Sequence, residues 1–238
     1  MKKIDEASSL GRDWQAKKNN DWKIHTVEKD RAIRISSGYF NFLHVICGLN
    51  FKNNNLLGLD IGSGAGYLAS EVASKFNIKM TASEWNEDGV KLINKQNPHL
   101  ATRLIDIMTF HEKDSWDFIL CRELYPFTRV NSYSDQYEVV SRIIDSLKPN
   151  GVFLLVGSDV SHPHCMDYKL IRKNFQTDER IKMVTMPYLE SIILRIYKYS
   201  YFGKLIYILS NKIGEIIFRL MKHRKWAAIR VIAFQKVS

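Results

Sequence analysis

The chain has 238 residues, 45% of them hydrophobic and 25% charged, which is ordinary for a globular protein and enough for one domain with a full core plus an extension. Three widely spaced cysteines (Cys47, Cys121 and Cys165) exclude a disulfide framework and suggest a reducing, cytoplasmic compartment. The net charge is +10 and the pI about 9.4, a balance that serves solubility or favours anionic partners: nucleic acid, phosphorylated metabolites or anionic lipid.

Residues 1–50 read as an N-terminal helical extension, with Trp14 and Trp22 among lysines and asparagines and a helical pattern from about Thr26 to Leu49. The opening residues, Met1 to Ser9, hold no apolar stretch of the kind a signal peptide needs. From 51 to 189 short apolar runs alternate with helical patterns. Strands are expected at Leu56–Ile61, Lys79–Ser83, Thr102–Ile105, Phe118–Cys121 and Val152–Val156, and helices at Tyr67–Phe76, Glu87–Asn97 and Asp135–Ser146. Such alternation predicts an α/β fold, a parallel sheet with helices on both faces. Lys148-Pro149-Asn150-Gly151 predicts a turn before the fifth strand. A loop (Ser158 to Cys165), a helix near Asp167–Phe175 and a strand Lys182–Met186 follow, and residues 226–238 supply a last strand, Trp226–Lys236.

Residues 190–225 read as a basic amphipathic helical insertion before that last strand. Arg195, Lys198, Lys204, Lys212, Arg219, Lys222, Arg224 and Lys225 face only Glu190 and Glu215, which places +6 of the chain's +10 here. No run of about 20 residues is free of charge, so a transmembrane helix is not expected. Gly203 and Gly214 divide the segment into two or three helices. Three readings stay open: a lid with its lysines in solvent, a contact with an anionic membrane surface, and a dimer interface.

The most informative run is Leu57 to Ala69. An apolar strand ends in glycines at 62, 64 and 66 and passes into a helix. Glycines there remove the Cβ atoms that would hold a ligand off the backbone, and the helix start offers free N–H groups. The spacing is G-x-G-x-G. Tyr67 stands where the dinucleotide fingerprint needs a small residue, which leaves a nicotinamide enzyme as a rival only. In open α/β sheets ligands bind beyond the carboxyl ends of the strands. Those ends carry Asp60, then Glu84, which lies 24 residues later, then Asp106-Ile107, then Cys121-Arg122-Glu123. Glu84 at that place can accept from both hydroxyls of a ribose, while Asp106 with Ile107 suits an adenine ring. Helix capping is the plainer role for either acid taken alone.

Asp60-Ile61-Gly62-Ser63-Gly64-Ala65-Gly66 resembles motif I of the class I S-adenosylmethionine-dependent methyltransferases. Glu84 resembles the family's ribose-binding acid, Trp85 would lie by the adenine, and Asp106 resembles the acid that reads the adenine amino group. Trp116-Asp117-Phe118-Ile119 is similar to the fourth-strand signature, and Leu147-Lys148-Pro149-Asn150-Gly151 to the Leu-Lys-Pro-Gly-Gly turn, with Asn150 in place of a glycine. The resemblance covers about residues 55–160. It implies a Rossmann-like sheet of seven strands with the last antiparallel, S-adenosyl-L-methionine as donor, and a donor site of Asp60, Gly62, Ser63, Gly64, Gly66, Glu84, Trp85, Asp106, Ile107 and Cys121.

The acceptor would then face the loops after strands four and five. Arg122, Glu123 and Tyr125 are the candidates to bind it; Arg122 grips an anionic group through its planar fork, or pairs structurally with Glu123. His162 or His164 is the candidate base for a hydroxyl acceptor, against a plain solvated role. A metal held by His162, His164 and Cys165 has too few ligands. The leading expectation is methylation of a small or glycan-type hydroxyl acceptor, phosphorylated or lipid-linked, as in glycan biosynthesis. The alternatives are an RNA methyltransferase and a non-catalytic scaffold that binds the donor. Abundant Lys, Asn and Ile hint at an AT-rich genome and a bacterial source.

Overall fold

In the computed structural model the described residues are 29–47, 49, 51, 55–124, 126–127, 133–159, 166–186 and 228–237. The strands are β1 (Leu57–Ile61), β2 (Lys79–Glu84), β3 (Ala101–Leu104), β4 (Trp116–Arg122), β5 (Leu147–Asp159), β6 (Ile181–Met186) and β7 (Ala228–Lys236). The helices are α1 (Lys29–Asn41), α2 (Tyr67–Phe76), α3 (Glu87–Gln96), α4 (Tyr133–Ser146) and α5 (Tyr168–Phe175). The strands make one sheet in the order β3-β2-β1-β4-β5-β7-β6. Strands β1 to β5 pair in parallel, and β7 runs antiparallel to both β5 and β6. This is the expected sheet of seven strands with the last one reversed.

The central strands are covered on both faces, which is why they read as unbroken apolar runs. In β4, Phe118 and Leu120 join Leu68, Val72 and Phe76 on one side, while Ile119 and Cys121 join Val139, Ile143 and Phe175 on the other. Val152, Leu154 and Val156 of β5 follow the first set, and Phe153 and Leu155 the second. Ala32, Ile35 and Tyr39 of α1 belong to the first cluster, as do Phe42 and Leu43 of the π-helical turn Phe42–Ile46 that prolongs it. The N-terminal helix thus shares the core of the sheet. Phe76 ties the two together, with ring centroids 5.3 Å from Phe40 and 5.5 Å from Phe118.

Local chemistry sets the element ends. Helix α2 stops at Asn77, whose left-handed φ of 55° closes the last turn. Asn86 caps α3 by accepting from the Gly89 N–H at 2.7 Å, and Asp167 caps α5 by accepting from the Leu170 N–H at 3.1 Å. At the end of the sheet away from the glycine loop, Asp117 accepts from the Leu57 N–H at 2.8 Å and pairs with Lys148 at 2.9 Å. The Trp116-Asp117 signature is therefore a structural joint.

The turn expected at Lys148–Gly151 needs a correction. It does not precede β5 but bulges out of it: Trp116 pairs with Leu147, and the ladder resumes only at Phe118 with Val152. Asn150 takes a φ of 64°, and a Cβ on Gly151 would sit 2.9 Å from the carbonyls of Lys148 and Trp116. The turn chemistry was read correctly, but Leu147 still reaches the core and extends the strand behind it. Residues 1–28 and the basic segment 190–225 lie outside the described residues. Among the described residues no helix is long and apolar enough to cross a membrane.

Candidate functional site

The carboxyl ends of β1, β2 and β4 meet at the glycine loop. Registers Ile61 with Ser83 and Ile61 with Cys121 bring Asp60, Glu84 and Arg122 to one edge of the sheet. Gly62, Gly64 and Gly66 adopt φ values of 76°, 60° and 81°, which side chains strain to reach. The loop is stitched to β2: the Gly62 and Ser63 amides donate to the Ser83 carbonyl at 3.0 and 2.9 Å. The Ser63 hydroxyl donates to the Asp60 carbonyl at 2.8 Å and accepts from the Ser83 N–H at 3.1 Å. Glu84 is buried, and its Oε1 accepts from the Gly64 N–H at 2.7 Å. The Asn97 amide donates to the Ala65 carbonyl at 2.8 Å and secures the far side.

Asp60 is 2% exposed. Burial pushes its carboxyl from 3.8 up to about 7; a Ser63 hydrogen bond pulls it down, the Glu84 charge adds to the rise and the Arg122 charge opposes it. Burial, with the Asp60 charge behind it, holds the Cys121 thiol well above its ordinary range, so it stays protonated. Arg122, its side chain 7% exposed, pairs with Glu123 at 3.3 Å, and Glu123 takes a φ of 47°. Beyond β3, Asp106 Oδ1 accepts from the Met108 N–H at 2.9 Å while its carbonyl accepts from the Phe110 N–H. Ile107 is buried in the second core cluster, and Trp85 is half-buried. Tyr125, His162 and His164 lie outside the described residues.

Three residues that the sequence reading passed over shape this edge. Leu124 fills the space over the loop, since a Cβ on Gly62 would come within 2.5 Å of its Cδ1. Arg142, from α4, donates through Nη2 to the Met108 carbonyl at 2.8 Å and to that of Ile107 at 3.5 Å, and so holds the turn that carries Asp106. Gln136 is fully buried, donates to the Pro126 carbonyl at 3.3 Å and accepts from the Asp167 N–H at 2.9 Å. It ties the segment after β4 to the start of α5. Its signal was available: it shares the apolar stripe of Val139, Val140 and Ile143, where a polar residue needs a buried partner.

A family model described as a methyltransferase domain matches residues 59–151. No curated protein matches the chain by sequence. Among solved structures, the plantazolicin methyltransferase BpumL in complex with S-adenosylhomocysteine superimposes with a TM-score of 0.58 at 12% identity, over 97% of this chain and 91% of that one. A geranyl diphosphate methyltransferase in complex with S-adenosylmethionine gives 0.56 at 13%, over 88% and 90%. Phosphoethanolamine N-methyltransferase 2 of Haemonchus contortus, in complex with S-adenosylmethionine, gives 0.55 at 17%, over 86% of this chain and 57% of that one. At such identities the likeness is one of fold. The matched segment holds the glycine loop, the acid that ends β2 and the fourth strand, and the seven strands around it run 3-2-1-4-5-7-6: residues 59–151 match a methyltransferase domain, and the chain has the Rossmann-like fold of the class I methyltransferases.

Proposed function

We propose that the chain moves a methyl group from S-adenosylmethionine to a hydroxyl of a small or glycan-type acceptor that is phosphorylated or lipid-linked. The donor's sulfonium supplies a methyl group that is already activated. The observation that carries the donor site is the buried Glu84 carboxylate 2.7 Å from the Gly64 N–H, with Asp60 close beneath it. The acid that ends β2 suits the ribose of an adenosyl ligand, and Tyr67 at the sixth position of the loop crowds a pyrophosphate. Glu84 binds the ribose hydroxyls, Gly62, Ser63, Gly64 and Gly66 let the ligand approach the backbone, and Asp60 and Cys121 line the floor. Asp106 reads the adenine amino group between Trp85 and Ile107. Aligning donor and acceptor is then the main work left to the protein.

Arg142 supports this site from outside every motif. Arg142→Met keeps the length and apolar stem but removes the donor to the 107–108 turn. Calorimetry with S-adenosylhomocysteine is expected to show roughly three- to tenfold weaker binding, the range for loss of one charge-assisted hydrogen bond felt at second hand. Unchanged affinity would show that the turn holds its shape unaided.

Support for an anionic acceptor comes from charge: +6 of the chain's +10 falls in residues 190–225. Two proteins of the same fold act on phosphate-bearing acceptors by name, geranyl diphosphate and phosphoethanolamine. The buried Arg122 paired with Glu123 favours the structural reading of that pair, a counter-charge for Asp60, over a grip on the acceptor. His162 or His164 supplies the base, and Tyr125 lines the acceptor side. The basic segment places the domain on the cytoplasmic face of an anionic membrane. The expected result is co-sedimentation with anionic liposomes that salt weakens and that deletion of 190–222 abolishes. Methyl transfer from labelled donor to lipid-linked saccharide, but not to RNA, completes the test. Transfer to RNA with steeply salt-dependent binding would replace this acceptor by the alternative one.

A further inference from the structure

Helix α3 opens against local preference. Gly89 stands in its first turn, where almost any other residue favours the helix more. Its backbone is not left-handed, so conformational freedom does not call for glycine there. Space does. A Cβ at 89 would lie 2.7 Å from both Cβ and Cγ of Glu84, and 3.3 Å from Oδ1 of Asn86. The Glu84 Cβ is fixed to the backbone of β2 and has no room to yield. Its Cγ retreats only by rotation about χ1, and that rotation carries the carboxylate away from the Gly64 amide it now meets at 2.7 Å. Departures of this kind from local preference concentrate where a site demands them.

We infer that Gly89 is a positioning residue for the donor's ribose. Its missing side chain lets the Glu84 stem rest on the first turn of α3, and that contact fixes the carboxylate against the glycine loop. The inference rests on Glu84 being the ribose-binding acid. Two ligands separate that premise from the inference itself: S-adenosylhomocysteine and its analogue lacking both ribose hydroxyls, each titrated by calorimetry into the full chain. The unaltered chain is expected to bind the hydroxylated ligand far more tightly; equal binding would remove the premise, and the inference with it. Gly89→Ala is expected to weaken S-adenosylhomocysteine about tenfold and the analogue by less than about twofold, because only hydrogen bonds to the charged acceptor are disturbed. Equal losses for both ligands, or no loss, would overturn the inference. Melting temperatures supply a second readout that holds even if the variant folds poorly. G89A is expected to lower the melting temperature beside Glu84, but to leave it unchanged or raise it in an E84G background, where both crowded atoms are gone. The same effect in both backgrounds would likewise refute the contact.

Discussion

Replacing Glu84 by Ala is expected to weaken S-adenosylhomocysteine binding on the order of 100-fold or more, the largest loss of any single side chain in the site. A hydrogen bond to a charged group contributes about 1.5–3 kcal/mol, and Glu84 is assigned two of them, one to each ribose hydroxyl. The acid also holds the Gly64 N–H at 2.7 Å, so its removal leaves a glycine-loop amide without its acceptor before any ligand arrives. Glu84→Gln separates the two duties. Its amide oxygen still accepts from Gly64 at similar volume, while the charge is gone, and a loss nearer tenfold is expected, in line with neutral hydrogen bonds being roughly half as strong. Calorimetry on the two variants checks this. Alanine binding as well as the native residue would mean that the adenosyl group lies elsewhere.

The second large effect sets stability against use. Asp60→Asn is expected to make the ligand-free protein melt higher at pH 8 while binding the donor more weakly. Burial raises the Asp60 carboxyl from 3.8 to about 7. Below about pH 4 the group is protonated in both the folded and the unfolded chain, and the substitution changes little. Between about pH 4 and 7 the unfolded chain releases its proton while the fold retains it, so native stability falls as pH rises and levels off above that window. A shift of about three units corresponds to about 4 kcal/mol, or roughly 8–16 °C in melting temperature for a domain of this size. The amide carries no such cost. Scanning calorimetry from pH 4.5 to 8.5 should therefore show the two curves diverge with rising pH. A constant gap would indicate a packing effect and not a titrating one.

Strands β1, β2, β4 and β5 could be read from the sequence because strands of a parallel sheet with helices on both faces leave apolar runs that helix patterns interrupt. Helix α2 was legible to the residue, since Gly66 and Asn77 bracket it with left-handed backbone. The β3 strand lies one residue earlier than expected, at Ala101–Leu104; none of its four residues is buried, so burial gives its frame little signal. The start of β5 was missed because the bulge interrupts an otherwise continuous pairing. The positions of Asp60, Glu84 and Asp106 at or just beyond strand ends could be read ahead of the structure, because topology alone fixes where strand ends fall. Gly89, Leu124 and Arg142 were not. Arg142 acts on a turn 34 residues before it, and no local pattern of letters records such a contact.

The antiparallel pair at the end of the sheet has a consequence for how such proteins diversify. Met186 lies opposite Val231, and six successive positions of β6 and β7 are matched there. The two strands thus present adjacent hydrogen-bonded stems, and residues 187–227 join them in sequence. Closing a loop on such stems costs only about 0.6 kcal/mol more for each doubling of its length. Segments of unrelated size and composition can therefore be exchanged between these stems without disturbing the glycine-loop edge, formed by β1, β2 and β4 across β5. A graft at this point would alter what the surface beside β6 and β7 presents while leaving the strand ends around the glycine loop as they are.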